Sequence, residues 1–141
     1  MRHNFLEPSG VLRYLNEPEN VGVEQWISWH ERDGFRFIFW VRIVQERQQD
    51  SEGWCLYEKN SLDVGNETYV DMDEFEEVGD PDEPEGKRFV FESAESAFAH
   101  AEEVGARTDR FTIVGGIQYI YRDFYRENGP PKKGAKQWFS A

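Results

Sequence analysis

The stretch VEQWISWHERDGFRFIFWVRIVQER, residues 23–47, decides the fold. Asp33-Gly34 stands between two runs of β-forming residues, the pattern of a hairpin with a two-residue turn. Centring the turn there pairs Glu31 with Arg36 and Trp29 with Ile38, so opposite charge meets and apolar meets apolar. The second strand alternates. Phe35, Phe37, Phe39, Val41 and Ile43 share one face, and Arg36, Ile38, Trp40, Arg42 and Val44 share the other. The first face is wholly apolar and should meet the core. The second is mixed, which predicts a central strand partly covered on that side.

Outward from the hairpin, Trp54 to Lys59 reads as a third strand after a polar loop over 45–53, and a short strand is expected near Thr68 to Met72. Upstream, Ser9 is expected to cap a short helix through Leu15, with Val11, Leu12 and Leu15 inward and Pro18 ending it. Downstream, Arg88 to Phe91 reads as a strand. Ser93 then caps a helix over 94–104, with Ala94, Ala97, Phe98, Ala101 and Val104 on one side and Gly105 closing it.

Arg110 to Val114 is another expected strand, followed by a turn at Gly115-Gly116. Residues 117–127 support two assignments. Ile117, Ile120, Tyr121, Phe124 and Tyr125 fit a helical stripe, and Asn128-Gly129-Pro130-Pro131 would end it. The run Ile-Gln-Tyr-Ile-Tyr is rich in β-formers and favours a strand through Arg122, which is the assignment taken. The expected architecture is α+β. An antiparallel sheet of about five to six strands carries one main helix, with a long acidic loop, in a single domain over 1–141. The segment 129–141 reads as a basic flexible tail, with Lys132, Lys133 and Lys136 before Trp138-Phe139.

The charge is as informative as the strands. The formal net charge is −12, and eleven acids with no base lie between Lys59 and Lys87. The remaining seventeen acids nearly cancel sixteen bases. The charge therefore belongs to one acidic segment, 62–86, broken by Gly79, Pro81, Pro84 and Gly86 and expected to be an extended solvated loop. A field of this kind repels nucleic acid and anionic membranes and attracts basic protein surfaces. Val70, Phe75 and Val78 lie among the acids and can anchor a docked surface. The expected partner-binding residues are Asp71, Asp73, Glu74, Phe75, Glu76, Glu77, Asp80, Asp82 and Glu83.

Catalytic and metal chemistry find little support. The pairs Asp71/Asp73 and Asp80/Asp82 resemble the start of a calcium loop, but the sixth position is Glu76 or Glu85 where glycine is needed. The histidines, His3, His30 and His100, have no metal-ligand spacing, and one cysteine cannot build a zinc site. Cys55, between Trp54 and Leu56, reads as a small buried hydrophobe, with a thiol–imidazole pair left open. No phosphate-binding glycine motif is present. No cofactor, metal or catalytic residue is therefore expected. The single thiol and the lack of a long apolar run predict a cytoplasmic protein.

In kind, the chain is similar to the small acidic inhibitors of phages and mobile elements, such as anti-CRISPR and antirestriction proteins. That likeness rests on no alignable stretch and carries over no residue's role. It implies a non-enzymatic inhibitor that docks on a basic, nucleic-acid-handling protein. Two other expectations stand beside it. One is a small enzyme or ligand-binding domain that uses Trp26, Trp29, Trp40 and Trp54 as a platform. The other is an antitoxin or immunity protein, which would use the same electrostatics.

Overall fold

The computed structural model describes residues 5–17, 20–48, 51–63, 76–77 and 86–129. Its centre is the expected hairpin. Strand β1 (Gly22–Arg32) and strand β2 (Phe35–Gln48) turn at Asp33 and Gly34, both with positive φ (56° and 88°), as this type of tight turn requires. The register pairs Glu31 with Arg36 and Trp29 with Ile38.

One feature of β1 was not expected. Trp26 pairs with Trp40, but Ser28 pairs with Phe39, so Ile27 is an extra residue in the ladder. Such a bulge resets the alternation of the strand. Trp26 and Trp29 are an odd number of residues apart, and a regular strand would send them to opposite faces. The bulge brings both to the same face, where each meets the ring of Phe124.

Strand β3 (Ser51–Asp63) pairs with β2 from Gln48↔Ser51 to Arg36↔Asp63. The polar stretch expected as a loop over 45–53 is therefore largely strand. A ladder bonds backbone groups, so polar side chains do not stop it once register is set. Strands β4 (Glu76–Glu77) and β5 (Lys87–Phe91) both pair with β3, and β6 (Thr112–Ile113) pairs with β1. The order is β4-β3-β2-β1-β6, with β5 also on β3, all antiparallel. The strand expected over 110–114 shrinks to its two residues in β6. The one expected near 68–72 lies outside the described residues.

Helices α1 (Pro8–Asn16) and α2 (Ala94–Glu103) cover one face. Val11 and Leu15 of α1 and Ala94, Ala97 and Ala101 of α2 pack on Val23, Val41, Ile43 and Leu56. The alanines let α2 lie close to the sheet. Ser93 caps α2 as expected, its Oγ accepting from the Ser96 N–H, and Gly105 follows with φ 111°. Helix α1 begins two residues earlier than expected. Glu7 is its N-cap and Pro8 opens the first turn, so Ser9 lies inside the helix.

The other face corrects the assignment of 117–122 as strand. Residues Ile117–Asn128 form helix α3. Ile117, Tyr121 and Tyr125 pack on Ile38 and Trp40, with Trp26 and Phe124 at the margin. The mixed face of β2 has two large apolar residues to cover, and a helical stripe does so where a further strand could not. The fold is α+β, with a six-stranded sheet between helices on both faces rather than one main helix on one. No helix among the described residues is long and apolar enough to cross a membrane.

Candidate functional site

The acidic segment is rooted on β3. Its first acid, Asp63, ends that strand and is fully buried. Glu76 and Glu77 pair with Leu62 and Ser61, and Lys87 pairs with Glu58. Both paired stretches thus use the same edge of β3. Only Lys59 and Asn60 separate them on β3, whereas residues 78–86 separate them on the other side. At Gly86 a Cβ would lie 2.5 Å from the Glu58 carbonyl oxygen, and φ is 95°. Glycine is required for the chain to rejoin the sheet there. Of the expected partner-binding residues, Glu76 and Glu77 are placed as β4. Asp71, Asp73, Glu74, Phe75, Asp80, Asp82 and Glu83 lie outside the described residues.

The root at Asp63 is held by a buried polar cluster. Arg36 is 2% exposed and Tyr121 is fully buried. The Tyr121 hydroxyl donates a hydrogen bond to Asp63 Oδ2. Arg36 Nη1 lies 3.9 Å from that oxygen and donates to Tyr121 Oη (3.2 Å) and to the Gly129 carbonyl (2.9 Å). Its Nη2 donates to Glu31 Oε1 at 3.3 Å. The guanidinium also lies over the rings of Phe124 (4.9 Å) and Trp29 (5.6 Å). Burial, and then the Asp63 charge, push the Tyr121 hydroxyl far above its ordinary pKa of 10.0, and Arg36 offsets this in part. A phenol so placed stays protonated and serves as a fixed donor. The cluster joins the hairpin end, the end of β3 and the end of α3.

A second buried carboxylate fixes the other end of α3. Glu24 is fully buried. Its Oε1 accepts from the Gly115 N–H (2.6 Å) and the Ile117 N–H (3.4 Å), and its Oε2 accepts from Arg42 Nε (3.0 Å) and Nη2 (2.9 Å). It meets the unbonded N–H groups at the start of the helix, where a negative charge is favoured. Burial raises its pKa from 4.5 against the opposing pull of Arg42. The sequence expectations missed both carboxylates. Their signal was Arg36 and Arg42 standing at core-facing positions of a strand, where each needs an acid within reach.

Neither cluster presents a reactive group to solvent. Asp63, Tyr121 and Glu24 are all fully buried and occupied by one another or by arginine. Cys55 is 1% exposed, and Arg88 Nη2 donates to its sulfur at 3.2 Å. The register puts Cys55 on the α3 face. His100 belongs to the opposite face, with its ring against Phe89 and Phe91 and its Nε2 3.5 Å from Glu58 Oε2. His30 stacks on Phe37. The sheet thus separates Cys55 from both described histidines, so no thiol–imidazole pair forms with either.

The tryptophans are divided in the same way. Trp40 is fully buried and donates through Nε1 to Ser61 Oγ at 2.9 Å. Trp26 packs edge-on against Tyr121 and Phe124. Trp54 packs beside Phe91 in the cluster under α2. Trp29 alone of these four keeps a large exposed fraction, 43%. Trp26, Trp40 and Trp54 pack in the apolar clusters, and Trp54 lies on the opposite face of the sheet from the other three, so the four rings do not share one surface. Among the described residues, no group of three or more His, Cys, Asp or Glu side chains is arranged to hold a metal ion. No protein-family model, curated protein or solved structure matches this chain.

Proposed function

We propose that this is a non-enzymatic acidic binding protein, whose segment from Asp71 to Glu83 docks on a basic surface of a nucleic-acid-handling protein and blocks it. One observation carries the proposal: eleven acids without a base lie between Lys59 and Lys87, while the rest of the chain is nearly neutral. Two features of the described residues support it. Glu76 pairs with Leu62 and Lys87 pairs with Glu58, so the two ends of the stretch 78–86 are fixed on one strand of the sheet. The aromatic face that a ligand-binding domain would use is occupied by α3. An opposed field of this kind speeds association on the order of ten- to a thousandfold. The cell compartment in this proposal is the cytoplasm, which keeps a single cysteine reduced.

The test replaces Asp71, Asp73, Glu74, Glu76 and Glu77 by their amides. Wild-type and variant proteins are immobilised and exposed to lysate of the source cells at low and high salt. Wild type should retain basic, nucleic-acid-binding proteins at low salt and release them at high salt, and the variant should retain few. Association with the captured partner should slow, and Phe75→Ala should instead speed its dissociation. Equal capture by both proteins at low salt would overturn the proposal.

A further inference from the structure

The outer edge of β1 is closed along its first half. Strand β6 pairs with it at Val23 and Glu24. The Gln25 side chain then exchanges two hydrogen bonds of 2.8 Å with the Arg107 backbone, donating to the carbonyl and accepting from the N–H. At Ile27 the chain lies close again, since a Cβ added at Gly105 would stand 3.0 Å from Ile27 Cγ2. From Ser28 to Arg32 the closure stops. All five residues are exposed, and no strand among the described residues pairs with this side of them.

The two-residue turn at Asp33 and Gly34 makes Arg32 and Phe35 a hydrogen-bonded pair, and such pairs alternate along an antiparallel ladder. Trp29 and Glu31 therefore direct their backbone N–H and C=O groups away from β2, out from the edge. An edge of this kind is a template for another strand, and lysine or proline commonly guards it. Ser28 to Arg32 holds neither. The segment also carries the ring of Trp29, 43% exposed although it rests on Phe124.

We propose that this edge pairs with the same edge of a second copy of the chain, antiparallel about a two-fold axis at His30. Trp29 then exchanges two backbone hydrogen bonds with the partner's Glu31, and Glu31 does the same with the partner's Trp29. Ser28 stands opposite the partner's Arg32. This register uses the whole open segment, and the partner's turn ends beside Ile27, where Gly105 begins to close the edge. The two Trp29 rings become diagonal neighbours, within reach of each other across the joint. Charge favours a second copy as the occupant. No carboxylate directly faces a carboxylate, no guanidinium faces a guanidinium, and Glu31 is already matched by Arg36 at 3.3 Å. Glu76 and Glu77 pair with β3, across β2 from this edge, so they stay at opposite ends of the joined sheet. The pairing holds whether or not the acidic segment binds a partner.

Sedimentation equilibrium of the full chain at rising concentration should show a reversible monomer–dimer equilibrium, because a joint of this size is well below that of a permanent interface. His30→Cys then reads the register. On the axis the two introduced thiols form a non-hydrogen-bonded pair, with Cα atoms about 4.5 Å apart, which a disulfide can span. Mild oxidation should link two chains through residue 30, as peptide mapping shows. Arg32→Cys is the control. In this register its two copies lie about 13 Å apart along the strands and should not link. His30→Lys sets two ammonium groups face to face on the axis, so it should hold the chain monomeric while its melt stays close to wild type. Three results would each overturn the proposal: linking no better at residue 30 than at residue 32, a folded His30→Lys that dimerises like wild type, or a wild-type chain still monomeric at about 100 μM. The last would leave the edge to a strand from another protein.

Discussion

Tyr121 is a neutral donor in the fold and a weak acid in the unfolded chain, and this difference is measurable. Below about pH 10 both states keep the proton. Above it the unfolded chain loses a proton that the native state retains, so stability falls by about 1.4 kcal/mol per pH unit. Tyr121→Phe should remove this alkaline slope. At neutral pH it should lose about 2 kcal/mol, because Asp63 is left without its donor. Denaturant titrations of both proteins at pH 7 and pH 11 check this, and equal slopes would refute it. Glu24 runs at the acid end. Its pKa is raised above 4.5, so between that value and the raised one the native state binds a proton that the unfolded chain does not. Its contribution therefore grows as pH falls through that window and is lost as pH rises. Glu24→Gln should abolish the trend and destabilise at pH 7 by about 3 kcal/mol. An amide has one acceptor oxygen where four N–H groups converge, and it removes the charge that faces the half-buried Arg42. Melts at pH 7 and at mildly acid pH measure both effects.

Among the elements, β1 depends most on a single residue. Removing Ile27 restores strict alternation and forces one half of the strand to turn over. Either Val23 leaves Ile43, or Trp29 leaves Ile38 and the ring of Phe124. Deletion of Ile27 should therefore abolish cooperative unfolding and the near-ultraviolet aromatic signal. Ile27→Val, which keeps the count, should lose only about 1 kcal/mol. A deletion variant that melts like wild type would show that the bulge does not set the register. The bulge also marks where the sequence was legible. The turn at Asp33-Gly34, the alternation of β2 and the alanine stripe of α2 are local patterns, each complete within a few residues. The bulge is not local, because nothing near Ile27 says that two tryptophans must meet Phe124. Helix α3 was missed for the same reason. Its β-forming residues favour a strand, and the need to cover Ile38 and Trp40, far away in sequence, decides for a helix.

At the scale of the molecule, the candidate site was legible as charge and not as shape. Eleven acids can be counted in a sequence, but their attachment at Leu62 and Glu58 cannot, because it depends on registers set across the sheet. Those two attachments have a consequence for how such a chain can change over generations. Both anchor points lie on one strand that β2 already holds, so the length of the connection between them does not set either pairing. Lengthening such a connection is inexpensive, roughly 0.6 kcal/mol for each doubling. Insertions, deletions and new charges between Glu77 and Gly86 leave the pairings of β3 with β4 and β5 in place. Descendants of this protein could therefore diverge quickly in what they recognise while inheriting an unaltered scaffold, as long as a glycine remains where the chain rejoins β3.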